Sequence, residues 1–133
     1  MDPAGLAVIH DYKLSKRAVA GAKLVEEGRL QVPLYWEAVS GAADMQPVAA
    51  VYRPLEGGRP RGMLDADLAP HLPGEYRTDR MASETLNELL LAARAETEQA
   101  VAGIRAGAVP TAPRGGSCPA WCDLASICRV ETR

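Results

Sequence analysis

The sequence lacks any long hydrophobic run. None of its 133 residues belongs to an apolar stretch approaching the roughly 18 residues that cross a bilayer. The opening Met-Asp-Pro also differs from a basic, apolar secretion signal. These observations exclude the patterns typical of membrane and secreted proteins, so the expected location is the cytoplasm. The length predicts one domain, residues 1–133.

The sequence also lacks an excess of charge of one sign. It contains fifteen Lys and Arg and seventeen Asp and Glu, so the chain has no global basic field that would attract nucleic acids. The local charge balance differs between residues 13 and 29, which include five basic residues and two acidic ones. The basic residues are Lys13, Lys16, Arg17, Lys23 and Arg29. This segment can follow a phosphate backbone, and a solvated face with scattered lysines is the alternative.

Cysteine is absent before the tail at residues 108–133. Cys118, Cys122 and Cys128 lie close together there, and their odd number argues against a disulfide framework and favours metal or cluster ligation. Tetrahedral zinc and iron–sulfur clusters both take four protein ligands, so one is missing. His10 or His71 could complete a zinc site. The alternative is three reduced cysteines without metal.

The chemistry-bearing stretch is LAVIHDYK at residues 6–13. It predicts a strand, in which Asp11 and Lys13 point to one side and Tyr12 to the other. A carboxylate can hold a divalent cation, and a neighbouring ammonium suits a phosphate oxygen or a metal-bound water. This pair is what phosphodiester hydrolysis needs, and a solvated strand end is the alternative.

The residues before this strand, DPAG at 2–5, predict a tight turn. Such a turn normally joins two antiparallel strands, and here only the second is present. The strand that follows is therefore expected to have an unpaired edge. We expect an upstream strand that this chain does not contain.

The remaining chain predicts alternating helices and strands. Hydrophobic spacing indicates a short helix near 19–26, a helix over 29–40 ended by Gly41, and a strand over 46–55. Eight Gly or Pro among residues 54–74 predict a long loop. A helix over 84–106 is expected to be capped by Ser83 and ended by Gly107. Its apolar stripe comprises Leu86, Leu90, Ala93, Thr97, Val101 and Ile104.

Gln31 and Tyr35 are one helical turn apart and share a face. An amide and a phenol placed there could approach a nucleotide or support the Lys13 side chain. A partly buried tyrosine with a satisfied hydroxyl is the alternative.

The order of these motifs resembles the RecB-like nuclease family, a branch of the PD-(D/E)xK superfamily. The motifs are a strand ending Asp11-Tyr12-Lys13, the Gln31-to-Tyr35 helix, a strand, a long amphipathic helix and the cysteine-rich tail. They are most similar to the carboxyl-terminal nuclease domains of bacterial AddB-type and RecB-type helicase-nucleases. The implied fold is an α/β, restriction-endonuclease-like core, a mixed sheet flanked by helices, here incomplete at its amino-terminal side.

The resemblance also implies roles for individual residues. Asp11 would bind magnesium or manganese together with the Tyr12 carbonyl oxygen, and Lys13 would position the attacking water. Gln31 and Tyr35 would support the site. Cys118, Cys122 and Cys128 would match three of the four ligands of a four-iron four-sulfur cluster. Lys16, Arg17 and Lys23 are the remaining DNA-contact candidates.

Two departures from the family pattern are visible. The second metal-binding acid would lie on the missing strand, and no cysteine precedes Cys118 to serve as the fourth cluster ligand. The expected function is a metal-dependent DNA nuclease of DNA repair and recombination, inactive as an isolated chain if an upstream domain or helicase subunit supplies the strand. The alternative is a non-catalytic DNA-binding or scaffold module with the same fold.

Overall fold

The computed structural model describes residues 5–14, 20–42, 45–68 and 72–108. They form an α/β fold, as expected, and it contains one mixed four-stranded sheet and two α-helices. Neither helix is long and apolar enough to cross a bilayer. The strands are β1 (Leu6–Lys13), β2 (Gln46–Pro54), β3 (Arg61–Asp65) and β4 (Arg80–Met81), and the helices are α1 (Gln31–Ala42) and α2 (Ser83–Arg105).

The chain divides into two compact units, residues 1–98 and 99–133. The first contains the whole sheet, α1 and most of α2. The second is described from 99 to 108, which covers the last turns of α2 and the turn after it. The sites analysed below lie in the first unit.

The sheet has the strand order β1-β2-β3-β4. Strands β1 and β2 are parallel and are connected through α1, β3 runs antiparallel to β2, and β4 is parallel to β3. Among the described residues no strand pairs with the outer side of β1, in agreement with the open edge that the sequence predicts.

Both helices pack against one face of the sheet, which we call the helix face. The residues of its core are nearly inaccessible to solvent and come from α1, α2, alternate positions of the central strands and the segment before α1: Leu24, Val32, Trp36, Ala50, Tyr52, Met63, Leu86 and Leu90. An ion pair between Glu37 and Arg94 also joins α1 to α2. Burial of this apolar surface is the main stabilising contribution to the domain.

The opposite sheet face has a smaller core. Ala49, Val51 and Leu64 alternate with the residues of the helix face, and Tyr76 covers them together with Val8 and Leu72. Because β2 is buried on both faces, its sequence is almost continuously apolar, as expected for a central strand.

The prediction of one long loop over residues 54–74 is wrong for its central part, because residues 61–65 form β3. Four of its five residues are buried. The glycine that favoured a loop, Gly62, is required inside the strand. A Cβ on Gly62 would overlap the carbonyl oxygen of Ala50 and lie 2.8 Å from the Cα of Val51. Glycine here permits close backbone approach instead of a turn.

The predicted boundaries of α1 are shifted. The helix runs over Gln31–Ala42, so Gly41 lies inside it and does not end it. Gly41 keeps a negative φ, whereas a terminating glycine would adopt the left-handed region. The short helix expected near 19–26 is reduced to a single 3₁₀ turn, Gly21–Lys23.

Ser83 begins α2 but does not cap it as predicted. Its hydroxyl lies 3.1 Å from both carboxylate oxygens of Asp65 and 2.6 Å from Oδ2 of Asp67. Ala82 supplies the first helical carbonyl to the amide of Leu86. The serine therefore connects the helix start to the end of β3.

The apolar stripe predicted for α2 is buried over only part of its length. Leu86, Leu90 and Ala93 are buried, whereas Val101 and Ile104 are exposed. The helix ends as predicted, because Gly107 has a φ of 73° and donates its amide to the Ile104 carbonyl.

We expect Gly62→Ala to lower the free energy of unfolding by about 1–3 kcal/mol, because the added methyl overlaps backbone atoms of β2 that cannot rotate away. Urea denaturation measures the change. The matched control is Gly41→Ala in α1, where no atom lies within 4 Å of the new methyl. It should raise stability by about 0.5–1 kcal/mol. Equal effects of the two substitutions would contradict the close approach at Gly62.

Candidate active site

Asp11 and Lys13 lie on the same side of β1, at its carboxyl end. Lys13 Nζ is 2.7 Å from Asp11 Oδ2, and the lysine side chain is 37% exposed against 15% for the aspartate. The alternation of side chains along the strand thus puts them on one face, as predicted, and Tyr12 on the other. The ammonium reaches solvent while the carboxylate is mostly covered.

Gln31 and Tyr35 extend this pair into a chain of contacts. Lys13 Nζ donates a 2.9 Å hydrogen bond to Gln31 Oε1, and Gln31 Nε2 donates a 2.7 Å hydrogen bond to the Tyr35 hydroxyl. Both residues lie in the first turns of α1, one turn apart. We call Asp11, Lys13, Gln31 and Tyr35 the lysine site. Four residues chosen from sequence motifs therefore form one connected group.

Tyr52 lies beneath the lysine site. It is the register partner of Asp11 on β2, and Lys13 Nζ lies 5.1 Å from the centre of its ring. This is within the distance at which a cation is attracted to an aromatic face. Burial raises the pKa of the Tyr52 phenol, while the charge of Lys13 and the nearby Val32 amide act in the opposite direction. The phenol therefore stays protonated at neutral pH.

The Asp11 carboxylate is paired with Lys13. Its Oδ2 is buried and lies 2.7 Å from the Lys13 ammonium, a contact that compensates the carboxylate charge. Carboxylate oxygens are ligands that Mg²⁺ prefers, so Asp11 fits the role of a single metal ligand by its chemistry.

The Tyr12 carbonyl oxygen fits a second ligand position. The carbonyl of Lys13 bonds across to the amide of Leu55, so Lys13 directs its backbone groups towards β2. Since backbone groups alternate in direction along a strand, the Tyr12 carbonyl is directed to the open edge of β1. The described residues contain no group of three or more His, Cys, Asp or Glu side chains that could hold a metal. At the end of β1, the candidate ligands are therefore the Asp11 carboxylate and the Tyr12 carbonyl.

Several predicted site residues fall outside the described ranges: Cys118, Cys122, Cys128, His71, Lys16 and Arg17. The expected cluster ligands and two of the expected DNA contacts are among them. Lys23 is described, and it is exposed in the 3₁₀ turn.

A second polar group occupies the other face of the sheet at the same strand ends. We call His10, Arg53, Glu75 and Tyr76 the histidine cluster. His10 Nδ1 is 3.3 Å from Arg53 Nε, and His10 Nε2 is 3.0 Å from the Tyr76 hydroxyl. Arg53 also donates to Glu75 at 2.8 Å and to Tyr76 at 3.0 Å. Both ring nitrogens of His10 are thus engaged, so it is not placed to bind zinc as considered from the sequence.

The histidine cluster favours the neutral imidazole. Burial lowers the pKa of His10, the positive charge of Arg53 lowers it further, and Glu75 opposes both. The Arg53 guanidinium meanwhile holds the pKa of the Glu75 carboxyl below its usual value. At neutral pH the cluster is therefore an uncharged ring beside an arginine–glutamate ion pair.

Sequence reasoning missed Tyr52 and the histidine cluster. Both depend on contacts across the parallel pair of β1 and β2: Tyr52 is the register partner of Asp11, and Arg53 reaches His10 from β2. The signal available in the sequence was that two predicted strands, 6–12 and 46–55, each end in polar and aromatic residues. Their register, which decides which of these residues meet, was not predictable from either strand alone.

No protein-family model matches the chain, and neither the curated proteins nor the solved structures include a significantly similar one.

We expect the histidine cluster to make stability depend on pH. Because the pKa of folded His10 lies below the unfolded value of about 6.5, the unfolded state binds more protons as the pH falls below that value. The contribution is fully present above about pH 6.5 and is lost on acidification. The urea midpoint of the wild type should fall more steeply from pH 7.5 to 5.5 than that of His10→Gln. Parallel slopes in the two proteins would show that His10 is not responsible.

Proposed function

We propose that this chain is a RecB-like DNA nuclease domain of the PD-(D/E)xK type, acting in DNA repair or recombination. The observation that carries the proposal is the connected lysine site. An acid and a lysine lie 2.7 Å apart on one strand end, and the lysine is held by a glutamine whose partner is a tyrosine one helical turn away. The four-stranded mixed sheet with helices on one face is compatible with such a core.

Lys13 would act on the phosphate. Its ammonium carries three N–H donors, of which one bonds to Gln31 while the group as a whole pairs with Asp11. No further described side chain accepts a hydrogen bond from it, so a donor remains for a phosphate oxygen or the attacking water. Gln31 and the Tyr52 ring fix the position of that donor before the substrate arrives, which lowers the entropic part of the barrier.

Asp11 and the Tyr12 carbonyl would hold the divalent cation, Mg²⁺ or Mn²⁺. Such a cation, when bound, neutralises charge on the phosphate and favours ionisation of an attacking water. A single carboxylate holds Mg²⁺ weakly, because binding usually requires one or two carboxylates in near-ideal geometry. We therefore propose that a second acid comes from a strand paired to the open edge of β1, supplied by an upstream domain or a helicase subunit.

The iron–sulfur part of the proposal rests on the sequence alone. Cys118, Cys122 and Cys128 would contribute three thiolates, and a fourth ligand outside this chain would complete a four-iron four-sulfur cluster.

A second candidate function is a non-catalytic DNA-binding or scaffold module of the same fold. The observation that favours it is that the described residues contain no group of three or more His, Cys, Asp or Glu side chains that could hold a metal. This module would bind DNA in a salt-sensitive manner through Lys13, Lys16, Arg17 and Lys23, and would not cleave it with any metal.

In the presence of Mg²⁺ or Mn²⁺ and of an added fragment that bears the second acidic strand, we expect labelled linear single-stranded or double-stranded DNA to be cleaved. Asp11→Ala and Lys13→Ala should each lower the rate at least about a hundredfold, because each removes a charge at the reacting phosphate. Matched controls are Glu98→Ala and Arg105→Ala, which remove exposed charges from α2 and should leave the rate unchanged.

Three outcomes separate the candidates. Cleavage that survives both lysine-site substitutions would refute the assignment of Asp11 and Lys13. Salt-sensitive binding without cleavage in any metal would favour the non-catalytic module. Cleavage that requires an added fragment bearing an acidic strand would support a site completed by a partner.

Gln31 should act by positioning Lys13. Gln31→Ala removes the 2.9 Å acceptor, so we expect the cleavage rate at saturating DNA to fall about 10- to 100-fold with little change in KM. Gln31→Glu retains an acceptor for the ammonium and should recover part of the loss. Steady-state kinetics on one oligonucleotide measures both. A change confined to KM, or equal losses in the two variants, would contradict the positioning role.

A further inference from the structure

The four tyrosines of the chain gather around the end of β1. Tyr35 and Tyr52 belong to the helix face beside Lys13. Tyr12 and Tyr76 lie on the opposite face beside His10. Aromatic residues make up only 5% of the sequence, so this concentration at one strand end is unusual for the chain. The lysine site accounts for the first two tyrosines and leaves the second two without a function.

Tyr12 is largely exposed, and its aromatic ring packs against a histidine that is itself held by hydrogen bonds. It is 58% exposed, and its ring stacks on His10 with centroids 6.0 Å apart and planes inclined by 23°. His10 is held in turn by Arg53 at Nδ1 and by Tyr76 at Nε2, and the Tyr76 ring meets it edge-on at 5.9 Å. Tyr12 therefore rests on a ring whose orientation is set by two hydrogen bonds.

The surroundings of Tyr12 suit a neutral, flat ligand. The charge of Arg53 is compensated by Glu75 at 2.8 Å, so this ion pair presents no net charge to a ligand on the Tyr12 ring. A phosphate would gain little there. A nucleobase presents a π-face to an aromatic side chain whatever its sequence, and such stacking is a main source of affinity for unpaired strands.

The position of Tyr12 also relates it to the lysine site. Tyr12 lies between Asp11 and Lys13, and these three residues form the carboxyl end of β1. The side chains of Tyr12 and Lys13 both reach solvent there, since Tyr12 is 58% exposed and the Lys13 side chain 37%. A single strand that passes the end of β1 can present a phosphate to Lys13 on one face and an unpaired base to Tyr12 on the other.

We propose that Tyr12, supported by the histidine cluster, is a base-stacking subsite for an unpaired nucleotide next to the phosphate that Lys13 engages. This inference rests on the proposed function, because DNA is the ligand in both. The proposed function names no base-binding residue, whereas this inference assigns that role to Tyr12 and adds a preference for single-stranded nucleic acid.

The test is equilibrium binding without cleavage. Fluorescence anisotropy of a labelled single-stranded oligothymidylate, measured in EDTA at low salt, should show Tyr12→Ala to bind about 5- to 150-fold more weakly than the wild type. Tyr12→Phe keeps the ring and should bind as the wild type does. The matched control is Leu55→Ala, which removes an apolar side chain of similar exposure, 59%, just after β2. It should leave binding within about twofold.

An abasic oligonucleotide of equal length makes the test independent of folding in the variants. The wild type should prefer the oligothymidylate to the abasic strand, and Tyr12→Ala should lose that preference while retaining salt-sensitive binding. Equal affinity of the wild type for both strands would overturn the subsite, as would unchanged oligothymidylate binding by folded Tyr12→Ala.

The outcome is separable from that of the proposed function. Cleavage lost in Asp11→Ala together with no effect of Tyr12→Ala on binding would retain the nuclease and reject the subsite. A Tyr12-dependent preference for bases in a protein that cleaves nothing would retain the subsite and reject the nuclease.

Discussion

The parallel pairing of β1 with β2 is the constraint on which both polar groups of the molecule depend. It brings Asp11 opposite Tyr52 and Tyr12 opposite Arg53. Because side chains alternate along a strand, Tyr52 lies beneath Lys13 on one face and Arg53 contacts His10 on the other. A shift by one residue would turn every one of these side chains to the wrong face.

The tertiary structure holds the Lys13 side chain in one position. A lysine on an unsupported strand end samples many rotamers, and a ligand that orders it binds more weakly because of the lost side-chain entropy. Here Asp11, Gln31 and the Tyr52 ring approach the ammonium from the strand itself, from α1 and from β2. Three separate elements therefore determine the position of one amine, and that amine is still 37% exposed.

The two faces of β1 differ in their electrostatics, although they are built on consecutive residues. The helix face presents an ammonium in an ion pair with a mostly covered carboxylate. The opposite face presents rings and an arginine–glutamate ion pair. A cation and a phosphate suit the first, and an uncharged flat ligand suits the second. At the carboxyl end of β1, one ligand can contact both.

Local periodicity in the sequence determined the features that depend on neighbouring residues. These are the common side of Asp11 and Lys13, the one-turn spacing of Gln31 and Tyr35, and the end of α2 at Gly107. Only the tertiary structure decided that Gly62 lies in a buried strand, that Ser83 bonds to Asp65 and Asp67, and that Tyr52 lies beneath Lys13. The physical reason is that those contacts join residues far apart in the chain, and strand register and close backbone approach leave no periodic signal in either segment.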